Sequence, residues 1–200
     1  MPLPIMMTHP SILLIEDSPG ERELFRLALA QTGFDVALFT EQGAESAFHF
    51  LEDRMHHSPY SPCKTAGETS APIQEGGLNW SPTARIEGAH SDSAASASKG
   101  DHSGHPPSLP SLILLDWHLG KQRGDEFLKR LRADHRLAAI PVVVFTTSDD
   151  HHDLSLAYAS GANGYVVKPG TFDELIRCVA ALCSYWLNWN RTISRVETAC

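Results

Sequence analysis

Apolar residues along this chain come in short unbroken runs that end on polar, chemically capable residues. Ser111-Leu112-Ile113-Leu114-Leu115 runs into Asp116, and Ile12-Leu13-Leu14-Ile15 runs into Glu16-Asp17. Pro141-Val142-Val143-Val144-Phe145 leads to Thr146-Thr147-Ser148, and Gly164-Tyr165-Val166-Val167 leads to Lys168-Pro169. Runs of Leu, Ile and Val without polar alternation suit strands buried on both faces, as in a parallel sheet covered by helices. Open α/β folds keep their sites at the carboxyl edge of such a sheet. Three acids, a hydroxyl and a lysine therefore gather at strand ends.

Between these runs the period turns helical. Ser18 can cap a helix, Pro19 suits its first position, and Glu21 completes a capping box. Leu24, Leu27, Ala28 and Gln31 follow at helical spacing, and Gly33 marks the stop. Residues 35–39 read as a second strand. Residues 43–51 read as a second helix, with Ala44, Ala47, Phe48 and Leu51 on one stripe. The third helix is expected at 125–133, with Phe127, Leu128 and Leu131 inward. The fourth is expected at about 150–160, followed by Gly161 as a helix-ending residue. The fifth starts near Thr171, carries the stripe Leu175, Ile176, Val179, Leu182 and Cys183, and runs out through Tyr185, Trp186 and Leu187. Strand and helix alternate five times. Right-handed crossovers then give a parallel sheet with helices on both faces.

One stretch breaks the pattern. Residues 54–109 are rich in Ser, Pro, Gly, Ala and His, and their apolar residues are isolated. A loop this long inside a domain is unusual, so it reads as a disordered insertion between the second helix and the third strand. Closing it costs little, roughly 0.6 kcal/mol per doubling of loop length. Residues 1–10 read as an N-terminal tail and 188–200 as a C-terminal one, which leaves 11–187 as one domain.

Composition narrows the function. The 200 residues carry a net charge of -8, so no broad basic surface exists for nucleic acid. No apolar run reaches the ~18 residues of a membrane span, and the N-terminus lacks the layout of a signal peptide. The 4 cysteines have no metal-finger or redox spacing and read as reduced thiols of a cytoplasmic protein. The 11 histidines, several of them in the insertion, show no ligand spacing, so they carry no metal site.

The four strand-end motifs, with Gly161-Ala162-Asn163-Gly164 before the last, resemble the receiver domain of two-component response regulators, in the single-domain style of the chemotaxis regulator. The likeness covers nearly all of the chain outside the insertion and the tails. Pro141 to Ser148 and Tyr185-Trp186-Leu187 are most similar to small regulators paired with phytochrome-type histidine kinases. The resemblance implies a doubly wound, flavodoxin-like sheet of strand order 2-1-3-4-5. It implies phosphoryl transfer from a sensor histidine kinase to Asp116 with Mg²⁺, and hard-oxygen acids suit that ion. Asp17 would bind the ion directly and Glu16 through water, with Asp116 and the backbone carbonyl of His118 completing the protein ligands. Lys168 would pair with Asp116 at rest and with a phosphoryl oxygen afterwards. Thr146 would move to the phosphoryl group, and Tyr165 would swing inward as it does. The Lys168–Pro169 bond would be cis. The C-terminal segment is too short for an output domain. Output would then pass by protein contact at the face of helix four, strand five and helix five, where Trp186, Leu187 and Trp189 offer a homodimer interface.

The loop after Asp116 departs from the family. Gly120 stands where Pro is frequent, and Arg123 stands where Asp is frequent, in solvent or near the acids. His118 and Ser148 occupy the two positions that tune loss of the phosphoryl group. Two other classes of function compete with this reading. A phosphorylation-independent binding module would have no reason to keep the acids and Lys168. A dehalogenase-type phosphohydrolase would want an acid two residues after the nucleophile, where His118 stands. The chain is therefore expected to be a signalling protein and not an enzyme.

Overall fold

The computed structural model describes residues 10–56, 108–120 and 122–191. The expected tail at 1–10 (apart from Pro10), most of the expected insertion at 54–109 and the end of the expected tail at 188–200 lie outside the described residues. Five parallel strands, β1 (Ser11–Ile15), β2 (Ala37–Glu41), β3 (Leu112–Leu115), β4 (Val142–Thr146) and β5 (Gly164–Val167), pair in the order β2-β1-β3-β4-β5. The helices are α1 (Pro19–Thr32), α2 (Ala44–His56), α3 (Gly124–Ala133), α4 (His151–Ala159) and α5 (Phe172–Cys183). This is the expected doubly wound sheet.

The unbroken apolar runs are explained by two cores, one on each face of the sheet. Leu13, Ile15, Ile113, Leu115, Val142 and Val144 point into one core with residues of α2, α3 and α4. Their alternates Ile12, Leu14, Leu112, Leu114, Val143 and Phe145 point into the other with residues of α1 and α5. A strand covered on both sides needs apolar residues at every position.

Several elements differ from the sequence-based expectation. In α1 the inward stripe is Phe25, Ala28 and Leu29, while Leu24 and Leu27 are 47% and 41% exposed. Both stripes satisfy helical spacing, and the bulk of Phe25, edge-on to Phe145 with ring centroids 5.8 Å apart, decides between them. β2 lies two residues later than expected, because its ladder with β1 begins at Ser11↔Ala37 and ends at Ile15↔Glu41. Helix α2 runs on to His56, past the expected insertion boundary at 54. There the Arg54 guanidinium stacks on Phe39 and Phe50, at 4.0 and 4.5 Å from the ring centroids, and donates to the Ser108 carbonyl at 3.0 Å. The loop after Asp116 forms an antiparallel ribbon, His118–Leu119 with Gln122–Arg123, where no regular structure was expected. Helix α5 continues as a π-helix, Ser184–Trp189; Trp186 and Leu187 pack on the α1/α5 core, while Tyr185 and Trp189 are exposed. The Lys168–Pro169 bond is trans, against the expectation of cis, as is usual for X-Pro bonds. No helix among the described residues is long and apolar enough to cross a membrane.

Candidate functional site

Hydrogen bonds carry the strand order just past the strand ends and set the site residues side by side. The Glu16 N–H donates to the Glu41 carbonyl at 2.9 Å, and the Asp116 N–H donates to the Ile15 carbonyl at 2.9 Å. The Lys168 N–H donates to the Thr146 carbonyl at 2.7 Å. The residues that end the β1, β3, β4 and β5 runs therefore share one edge, as their sequence positions implied.

Glu16, Asp17 and Asp116 bring carboxylate oxygens within 4.8 Å of one another. Glu16 and Asp116 are buried and Asp17 is exposed, so the cluster opens to water on one side. Such a set of hard oxygens with a solvent-facing member fits a small divalent cation that keeps several waters. Burial pushes the carboxyl groups of both Glu16 and Asp116 above their usual range. Lys168 opposes this in both cases, and the neighbouring Thr146 hydroxyl opposes it at Asp116. The Arg22 guanidinium donates to the carbonyls of Glu16 and Asp17 and so fixes the acidic turn. Gly120 arches over it: φ is +59°, and a Cβ there would lie 3.5 Å from Asp17 Oδ2. Proline is locked near -65°, so the frequent family residue could not follow this path. Gly124 is required for a different reason, since a Cβ would come within 2.7 Å of the buried Trp117 ring.

Lys168 sits among three acids. Its Nζ lies 2.5 Å from Glu16 Oε2, forms a close ion pair with Glu21, and stands 3.7 Å from Asp116 Oδ1. Burial pulls the ammonium down, but the Glu16 and Glu21 carboxylates and Asp116 outweigh it, so the amine titrates above its usual value. The nearest partners are thus Glu16 and Glu21, and Asp116 is the most distant of the three. Glu21 was legible only as a capping-box residue. The cap itself forms, with Ser18 Oγ accepting from the Glu21 N–H at 3.3 Å. The Ser18 N–H, however, donates to Glu16 at 3.0 Å, which leaves the Glu21 side chain for Lys168.

Thr146 and Tyr165 meet at Ser148. Thr146 Oγ1 accepts from the Ser148 N–H at 3.3 Å, and the Tyr165 hydroxyl donates to the Ser148 carbonyl at 2.9 Å. The Ser148 hydroxyl donates to Asp153 at 2.8 Å. Asp153, buried at the head of α4, also lies 3.5 Å from His118 Nε2 and 3.4 Å from Arg123. Arg123 is therefore half-exposed and tied to α4. The His118 imidazole is likewise drawn to Asp153. Asp153 carried no sequence signal, because an acid in the first turn of a helix ordinarily reads as a cap.

The family description "Response regulator receiver domain" matches residues 84–180, which include Asp116, Thr146 and Lys168. The chain is 44% identical over 110 residues to the probable methanogenesis regulatory protein FilR2 of Methanothrix harundinacea, covering 55% of this chain and 71% of that protein. It is 38% identical over 78 residues to response regulator Rcp1 of Synechocystis sp., covering 39% of this chain and 53% of that one, about half its length. Among solved structures, the phosphorylated cyanobacterial phytochrome response regulator RcpA superposes with a TM-score of 0.62 at 24% identity, over 94% of this chain and 100% of that one. The Mn(2+)-bound form of Rcp1 superposes with a TM-score of 0.59 at 24% identity, over 92% and 99%. With a relative of this identity covered over more than two thirds of its length, and with the sheet order and strand-end residues in place, the chain belongs to the response regulator receiver domain family.

Proposed function

We propose that this receiver domain, spanning 11–187, accepts a phosphoryl group on Asp116 from a sensor histidine kinase in the cytoplasm. The observation that carries this reading is the constellation at one sheet edge. Asp116 lies in an acidic cluster with Glu16 and Asp17, has the Thr146 hydroxyl beside it, and has Lys168 3.7 Å away. An Asp116 oxygen attacks phosphorus in line, and the bond from phosphorus to the donor imidazole nitrogen breaks. Such a transfer asks the protein chiefly for placement and charge cancellation. Glu16, Asp17, Asp116 and the His118 carbonyl would hold Mg²⁺, whose charge offsets that of the phosphoryl oxygens. Lys168 then pairs with one phosphoryl oxygen, and Thr146 donates to another.

A phytochrome-type kinase is the partner favoured by the likeness to Rcp1 and RcpA. Output passes through protein contact at α4, β5 and α5, where Tyr158, Val167 and Phe172 are exposed and a second copy could pair. Intact-protein mass after incubation with acetyl phosphate and Mg²⁺ tests the chemistry. The wild type gains one phosphoryl group, while Asp116→Asn and an EDTA control gain none. An unchanged wild-type mass with a range of phosphodonors would favour a phosphorylation-independent module.

A further inference from the structure

Among the described residues, Lys168 is the one cation that pairs with three carboxylates, and the phosphoryl reading requires it to serve a fourth anion. Its ammonium has three donors. Glu16 and Glu21 take two of them, and Asp116 at 3.7 Å lies beyond hydrogen-bond reach. The two holders are not equivalent. Glu16 is 2% exposed and also accepts the Ser18 N–H, so it can neither leave nor be resolvated cheaply. Glu21 projects from the first turn of α1 with its side chain 39% exposed, and water can replace Lys168 when the pair opens. Its backbone N–H remains held by Ser18, so the side chain can let go while the helix start stays intact.

We propose that Glu21 is a positioning residue that acts through Lys168. It holds the ammonium on the α1 side, too far from Asp116 to hydrogen-bond, and must let it move before the remaining donor of Lys168 can meet the phosphoryl group on Asp116. The inference rests on the proposed function and adds a brake to it. Breaking the Glu21 pair is part of the barrier to phosphoryl uptake, so weakening the pair speeds uptake. The scale is that of a partly exposed ion pair, which corresponds to about fivefold in rate.

The test is the rate constant of phosphoryl uptake by the full chain at saturating acetyl phosphate and Mg²⁺. In this reaction an Asp116 oxygen–phosphorus bond forms, the acetyl oxygen–phosphorus bond breaks, and acetate leaves with the electron pair. Glu21→Gln is expected to react about fivefold faster than the wild type. Glu21→Asp keeps the charge but loses reach, and is expected to react faster too. Glu23→Gln, which removes a nearby exposed acid paired with Arg26, leaves the rate within about 1.5-fold. In a Lys168→Ala background, Glu21→Gln gives no gain. That result separates release of the lysine from a general loss of negative charge, which would act in both backgrounds. An unchanged or slower Glu21→Gln chain, or a gain that persists without Lys168, overturns the proposal while phosphoryl acceptance stands. A wild-type chain that takes up no phosphoryl group overturns both.

Discussion

Asp116 and Glu16 are kept ionisable at a cost. Burial raises both carboxyl groups more than Lys168 lowers them, so the folded chain holds their protons more tightly than the unfolded one does. Between the ordinary carboxyl range and the raised folded value, the folded state binds more protons, and stability falls as pH rises through that window. At neutral pH each charge therefore weakens the fold, a trade of stability for chemistry that is common at functional sites. Asp116→Asn removes one buried charge without changing shape and leaves Lys168 its two nearer partners. We expect this variant to melt about 2–4 °C above the wild type at pH 7.5 in EDTA, with the gap closing as pH falls towards 4. Thermal unfolding followed by circular dichroism at the two pH values is the measurement. A variant that melts lower, or a gap that does not change with pH, would show that the Lys168 contact outweighs burial. Lys168 follows the opposite sign. Its folded value is raised, so its contribution is complete below about pH 10.5, the usual lysine value, and is lost above the folded one.

At the scale of elements, α1 connects the site to the core, and its orientation is open to a direct check. Phe25 is buried against Phe145, whereas Leu24 is half-exposed on the rim of a cavity of about 170 Å³ between α1 and α5, beside Lys168. Phe25→Ala should cost about 3–5 kcal/mol in urea unfolding and Leu24→Ala less than about 1 kcal/mol. The reverse order would mean that α1 presents the Leu24–Leu27 stripe to the sheet. That stripe is where sequence reasoning chose wrongly, since 3.6-residue periodicity fits two overlapping faces and only packing selects one. The strands were far more legible, because a run buried on both faces leaves no such ambiguity, and the residue ending each run lands at the sheet edge whatever the register. Asp116, Glu16, Asp17, Thr146 and Lys168 were visible for that reason. Glu21 was not, because its partner Lys168 arrives from the far end of the sheet by tertiary packing, and Arg22 and Asp153 were not, because their bonds to the Glu16 and Asp17 carbonyls and to Ser148 depend on the path of irregular turns, which leave no period to read. The ribbon after Asp116 was hidden because two-residue strands leave no period to read.

Across the whole molecule, a chain of contacts links the site to α4 and β5. The Thr146 hydroxyl neighbours Asp116, and Thr146 holds the Ser148 N–H. Ser148 is clamped at its other two groups, its hydroxyl on Asp153 of α4 and its carbonyl by Tyr165 of β5. Asp153 extends the clamp to His118 and Arg123 of the ribbon. Spatial continuity alone does not establish coupling; a second arrangement that the ligand favours must exist. If Thr146 turns towards a phosphoryl group, the Ser148 N–H loses its partner and the clamp has to rearrange. Suppose the Tyr165 hydroxyl bond belongs to the arrangement without a phosphoryl group. Removing it should raise the free energy of that arrangement and shift the population towards the other. Tyr165→Phe deletes only this bond and keeps the ring in the α2–α4 core. A net hydrogen bond of about 0.5–1.5 kcal/mol corresponds to roughly 2- to 10-fold in an equilibrium constant. We therefore expect Tyr165→Phe to bind beryllofluoride, a mimic of the phosphoryl group, about 2- to 10-fold more tightly in the presence of Mg²⁺. Trp189→Ala, on an exposed residue remote from the clamp, serves as the unaffected control. Titration followed by tryptophan fluorescence for the first variant, and by calorimetry for both, gives the constants. Equal affinity in Tyr165→Phe and wild type would mean that the bond survives in both arrangements and that β5 does not sense the state of Asp116 through Ser148. Weaker binding would mean that the bond belongs to the phosphoryl-bound arrangement, and the direction of the switch would have to be reversed.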